Sequence, residues 1–260
     1  MMVPMDTIQA HGSRMEPDEP WEWLAAGWRD ILAGPAISLT YGIAFSIISL
    51  GLAGALFYFD IPHLLLPLSA GFMLMGPMLA VGLYETSRRR QTGEPVSLRT
   101  ALFVPVRNPT QLASLGVILM AAHLIWIRIA TLLYALFFGT QPFPGLEESI
   151  SMLFFTFDGL GLLVVGTAFG GVLAAAVFAL TAFSVPILMV RDVDAVTAIL
   201  ESVKMIRENL WPMLVWAWLI VMLTAVGIVT CFVGLAITFP LIGHATWHAY
   251  RRAFDGIRPD

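Results

Sequence analysis

The stretch from Gly159 to Val190 reads GLGLLVVGTAFGGVLAAAVFALTAFSVPILMV and holds no charged residue. A helix crosses a bilayer in roughly 20 apolar residues at 1.5 Å rise. This run is too long for one straight perpendicular span, so it must tilt or break. Ser184-Val185-Pro186 is the expected break, because proline pushes the residue before it out of α backbone. Similar apolar runs lie on both sides. Spans are expected at about 36–59, 63–84, 112–138, 159–190, 210–229 and 234–252. Pro67 and Pro77 suggest kinks in the second. A tight turn near Thr230 to Gly234 divides the last two, since one helix there would be about twice the hydrocarbon thickness.

Composition agrees with a bilayer as solvent. Hydrophobic residues make up 58% of the sequence and charged residues 12%, and the mean hydropathy is +0.82. A soluble domain carries roughly twice that charged fraction. The fold class is therefore all-α, a polytopic membrane protein of about six spans in three hairpins, forming one helical domain over 21–255. Residues 1–20 are polar, acidic and proline-bearing, and are expected to be a disordered cytoplasmic tail. Residues 256–260 form a second tail. No apolar segment resembling a signal peptide precedes the first span. Lone Cys231 offers no disulfide framework.

Alternating the sides sorts the basic residues. Arg14, Arg29, Arg88, Arg89, Arg90, Arg99, Arg107, Arg191, Lys204, Arg207, Arg251, Arg252 and Arg258 fall on one side. Asp60, Glu147 and Glu148 fall on the other. Lys and Arg are retained in the cytoplasm, so both termini are expected there. Arg88, Arg89, Arg90, Arg251 and Arg252 read as cytoplasmic anchors at the membrane surface.

Three segments share a pattern: an amphipathic stretch, a proline near its end, then a pair of spans. They are Trp21–Ala33, Ser97–Arg107 and Ala195–Asn209. In the third, Val196, Ile199, Leu200, Val203 and Ile206 form an apolar stripe at helical spacing. Trp21, Trp23, Leu24, Trp28 and Ile31 serve the first, with tryptophans suited to the headgroup region.

Particular residues also suggest a family. Trp23-Leu24, Gly27-Trp28-x-Asp30, Pro35-x-x-Ser38-Leu39-x-Tyr41-Gly42, Pro186 to Ala198 and Pro240 to Arg251 together resemble a bacterial family of predicted integral membrane proteins called domain of unknown function twenty-one eighty-nine. The resemblance covers nearly the whole chain after Trp21. It implies an inner-membrane protein of proteobacteria with no agreed activity. Some relatives carry a name linking them to cytochrome c oxidase subunit I, but such a subunit needs several intramembrane histidines that this chain does not offer.

Candidate site residues are few. Arg128 lies inside the third span, where a charge costs several kcal/mol unless paired or wet. Asp158, at the start of the fourth run, is its expected partner; the alternative is that Arg128 snorkels outward and Asp158 caps a helix. His123 is one turn from Arg128, so a shared polar pocket is conceivable. His244 and His248, four apart, share a helix face and are weak metal-ligand candidates; structural histidines are the better reading. Gly166-x-x-x-Gly170 and Gly51-x-x-x-Ala55 permit close helix contact. Asp192-Val193-Asp194 is helix-start chemistry. No phosphate-binding, dinucleotide, metalloprotease or serine-hydrolase motif is present, so no catalytic residue, cofactor or metal is expected. Nucleic-acid binding has no support. The expected partners are the lipid bilayer and, left open, a membrane protein or a second copy. The leading reading is a non-enzymatic scaffold or accessory subunit of a membrane complex. The alternative is a small transporter with Arg128 and Asp158 in a polar cavity.

Overall fold

The computed structural model describes residues 14–59, 61, 64–139 and 146–259. It is all-helical, without strands among those residues. In order the helices are α1 (Glu19–Ala33), α2 (Pro35–Tyr58), α3 (Leu65–Leu79), α4 (Val81–Thr92), α5 (Leu98–Leu102), α6 (Pro109–Phe138), α7 (Leu146–Phe155), α8 (Phe157–Thr181), α9 (Ser184–Val190), α10 (Ala195–Glu208), α11 (Leu210–Val229) and α12 (Leu235–Asp255).

Local chemistry sets many of these ends. Asn108, Thr156 and Asp194 cap α6, α8 and α10, each side-chain oxygen accepting a backbone N–H three residues on, which satisfies a donor the helix leaves orphaned. Thr156, not Asp158, is thus the cap beside Gly159. Pro35 and Pro109 stand at helix starts, where a missing N–H does no harm. The break in the long apolar run falls between Thr181 and Ser184. The Phe183 N–H there donates to Ser202 Oγ of α10 at 3.3 Å, and Ser202 donates to the Ala179 carbonyl at 2.9 Å. The second expected span is divided at Ala80, three residues after Pro77, into α3 and α4. The turn between α11 and α12 puts Cys231 and Phe232 in the left-handed region, at φ 51° and 64°.

Four helical stretches are long and apolar enough to cross a membrane: α2, α6, α8 through α9, and α11. The other two expected spans correspond to the divided α3–α4 and to α12. The multi-pass membrane character follows from these helices.

α12 is the axis of the bundle. Ala245, Ala249 and Ala253 are fully buried, as is His244, and Trp247 and Tyr250 nearly so. It packs on α1, α2, α4 and α11, while α6 packs on α3 and α8. The second and third hairpins are kept, as α6 with α8 and α11 with α12, while the first is opened: α2 lies chiefly along α12 and α3 along α6. Gly42 allows this, because a Cβ there would collide with the Ala236 carbonyl. The expected contact glycines differ. Gly51 and Gly166 face open space, and Gly170 alone meets a neighbour, Trp126 of α6.

One expectation is corrected at the N-terminus. Within 14–20, expected to be disordered, Met15 is buried and its N–H donates to Asn209 Oδ1 at 2.9 Å, and Glu19 and Pro20 are buried in α1, while Glu16, Pro17 and Asp18 are exposed. The partners of Met15 and Glu19 come from the far end of the sequence, where no local signal shows them. Residues 1–13, Asp60, His63 and 140–145 lie outside the described residues.

Gly42→Val should destabilise the protein by about 1–3 kcal/mol through overpacking against α12. Gly51→Val, on the same helix in open space, should stay within about 0.5 kcal/mol. Thermal melting of both variants in one detergent checks the pair.

Candidate functional site

The basic ends of α1, α2, α4 and α12 enclose a polar network. Asp30 of α1 is the hub. Ser87 Oγ of α4 donates to Asp30 Oδ2 at 2.5 Å, and His248 Nε2 of α12 lies 3.0 Å from the same oxygen. An ionised carboxylate only accepts, so the serine proton and the His248 Nε2 proton both point at it. Ser87 has spent its proton and accepts from His244 Nδ1 at 2.8 Å. His244 Nε2 is left to accept the hydroxyl of Ser38, on α2, at 2.9 Å. His248 Nδ1 accepts from Gln91 Nε2 at 3.2 Å, and Gln91 Oε1 accepts the Trp247 indole N–H at 2.9 Å. The inventory closes with one tautomer for each imidazole. Ser38, Ser87 and His244 are fully buried.

Burial alone would raise the Asp30 pKa, but the hydrogen bonds from His248 and Ser87 and the field of both imidazoles outweigh it. Its carboxyl sits below the usual carboxylate range. Arg90 adds a bond to the Asp30 carbonyl and lies 3.8 Å from its carboxylate.

Further charges lock the same end. Arg252, 3% exposed, makes two 2.8 Å bonds to Glu19, 1% exposed. Arg88 and Arg89 both bind Glu85, and Arg88 also binds Glu94. Arg251 binds Asp255 at 2.7 Å. Of the arginines expected as cytoplasmic anchors, Arg252 is too buried to meet a headgroup, while Arg88, Arg89, Arg90 and Arg251 are partly exposed and paired with carboxylates within the protein.

Deeper in the bundle is an apolar chamber of about 500 Å³. Its walls come from α2, α3, α8, α11 and α12, and its inner end is formed by Tyr84, Thr246 and Ala182. Gly171, Ala174 and Ala175 give α8 a low wall. The hydroxyls of Ser49, Thr181, Thr224 and Thr246 each donate to a carbonyl four residues back on their own helix. Leu52, Leu214, Trp218 and Val221 stand at its rim, between 44% and 55% exposed.

The sequence candidates fall elsewhere. Arg128 and Asp158 are both exposed on the lateral surface, and no ion pair joins them among the described residues. Neither lines the chamber. His123 packs on Gly71 of α3, with its Nδ1 buried and without a hydrogen-bond partner among the described residues. His244 and His248 do share a face, with both ring nitrogens of each engaged by protein groups. No three His, Cys, Asp or Glu side chains converge as metal ligands among the described residues. Asp30, Ser38, Ser87 and Gln91 were not singled out from the sequence as site residues. Their only signal is position, in the quoted motifs for Asp30 and Ser38 and directly flanking the arginine cluster for Ser87 and Gln91.

Asp30→Asn should destabilise the protein by about 1–3 kcal/mol at neutral pH. The folded Asp30 pKa is lowered, so its contribution is fully present above about pH 4 and is lost as pH falls below that. The gap between wild type and variant should therefore narrow from pH 6 to pH 3, as read by melting curves.

No curated protein and no solved structure shows significant similarity to the chain. Residues 65–190 match the family DUF2189, described as predicted integral membrane protein. That stretch holds α3 to α9, including two of the apolar helical stretches and the low wall of the chamber. With its membrane-crossing helices, the chain is similar over residues 65–190 to the predicted integral membrane proteins of DUF2189.

Proposed function

We propose that this membrane protein is a non-enzymatic scaffold or accessory subunit that presents a fixed apolar edge to a membrane partner. The observation that carries the reading is the double face of α1. Trp23, Ala26, Gly27 and Ile31 are buried inward, while Trp21, Trp28 and Leu32 are 53%, 44% and 62% exposed outward. Asp30 on the same helix is clamped by α4 and α12, so the outward stripe is held in place. α10 follows the same plan, with Ala198, Ser202 and Met205 inward and Val196 and Leu200 outward. Outward tryptophans at this level suit the headgroup region or a partner helix.

On this reading the basic end faces the cytoplasm of a bacterial inner membrane, because Lys and Arg are retained there. The partner is a membrane protein or a second copy. Ser38 and His244 are the nearest approach to a nucleophile beside a base, and their complete burial and saturated hydrogen bonding favour a non-enzymatic role. The transport alternative through Arg128 and Asp158 gains no support from the apolar chamber, since neither side chain lines it.

Native mass spectrometry of the protein gently extracted from its own membrane tests the proposal. Wild type should carry a stoichiometric partner or second copy. The variant Trp21→Ser, Trp28→Ser, Leu32→Ser should lose it at least tenfold while keeping its melting midpoint. A bare wild-type monomer, or a partner retained by the variant, would overturn the reading.

A further inference from the structure

The apolar chamber has a length as well as a chemistry. Its lining runs over 45–56 on α2, 65–77 on α3, 171–182 on α8, 214–228 on α11 and 235–246 on α12. These intervals advance about 16 to 21 Å at 1.5 Å per residue, within the ~30 Å hydrocarbon core. Its inner end abuts the Asp30 network, because Thr246 lies between His244 and His248 and Tyr84 is one turn from Ser87.

We propose that this chamber binds one acyl chain of a membrane phospholipid. Three observations choose that occupant. The surrounding medium along α2, α8 and α11 is lipid hydrocarbon, and the rim is apolar and exposed to it. The lining hydroxyls of Ser49, Thr181, Thr224 and Thr246 are turned onto their own helices, so the wall offers a guest mostly apolar contact. The lining's length of about 16 to 21 Å fits within the ~30 Å hydrocarbon core. This site is independent of the scaffold reading and stands or falls apart from it.

Gly171 and Gly166 make a matched pair for the test. A Cβ at either meets nothing within 4 Å, both are on α8, and only Gly171 lines the chamber. Leucine also favours helix over glycine at both positions. The purified chain is reconstituted into vesicles of a single dioleoyl phosphatidylethanolamine, re-extracted, and its retained lipid is counted by native mass spectrometry. Wild type should keep one phospholipid per chain. Gly171→Leu should lower that occupancy at least fivefold, and Ala175→Leu should do the same if Gly171→Leu folds poorly. Gly166→Leu should stay within twofold of wild type. Equal retention in wild type, Gly171→Leu and Ala175→Leu would overturn the proposal, as would equal loss in Gly166→Leu. Protein taken from its own membrane and found holding an isoprenoid in place of a phospholipid would overturn the chain class.

Discussion

Asp30 can accept hydrogen bonds and cannot give them, and that one-way chemistry orders the basic end of the molecule. Its acceptance fixes the Ser87 proton, the Ser87 lone pairs fix the His244 tautomer, and His244 then takes the Ser38 hydroxyl. Four helices meet through these contacts: α1, α4, α12 and α2. In a low-dielectric setting a buried polar group left unpaired is costly, so the network tolerates essentially one arrangement of those helices. The Glu19–Arg252 pair extends the constraint to the start of α1. Breaking a buried pair by removing one partner typically costs about 3–5 kcal/mol.

Serine and threonine do two opposite jobs in this fold. At the basic end Ser38, Ser87 and Ser202 reach across to other helices and join them. Around the chamber Ser49, Thr181, Thr224 and Thr246 fold back onto their own backbones. The first use makes a rigid platform. The second turns polar side chains into effectively apolar wall. The boundary between the two is sharp, since Thr246 sits between His244 and His248 on one helix.

Elements whose signal is local were legible in the sequence. The long apolar runs announced the spans, Pro186 announced the α8–α9 break, and Asp194 announced the start of α10. Long-range pairing was not legible. Asp30 and His248 are separated by 218 positions, and nothing in either neighbourhood names the other. Arg128 drew attention because a charge inside an apolar run is conspicuous by composition. Asp30 lies in an amphipathic helix where an acid is unremarkable, yet it is the residue the structure surrounds. The small-residue motifs misled for a related reason. Spacing shows that glycines share a face but not what faces them, so Gly51 and Gly42 look alike until α12 is placed. The stripe on α10 similarly divides between inside and outside, with Ile206 buried and Val196 exposed.

The first helix and the axial helix are made far apart in time. α1 and α2 complete their packing only against α12, whose key contacts lie 206 to 233 positions downstream. During synthesis the early helices must wait in the membrane with the Asp30 carboxylate and the Ser38 hydroxyl unmatched, while α3 and α6 can already pair. Assembly therefore finishes with the insertion of α12 into a slot prepared by helices made long before it. A nascent chain that stalls before that point has spans but no centre, the kind of exposed intermediate that quality-control proteases recognise.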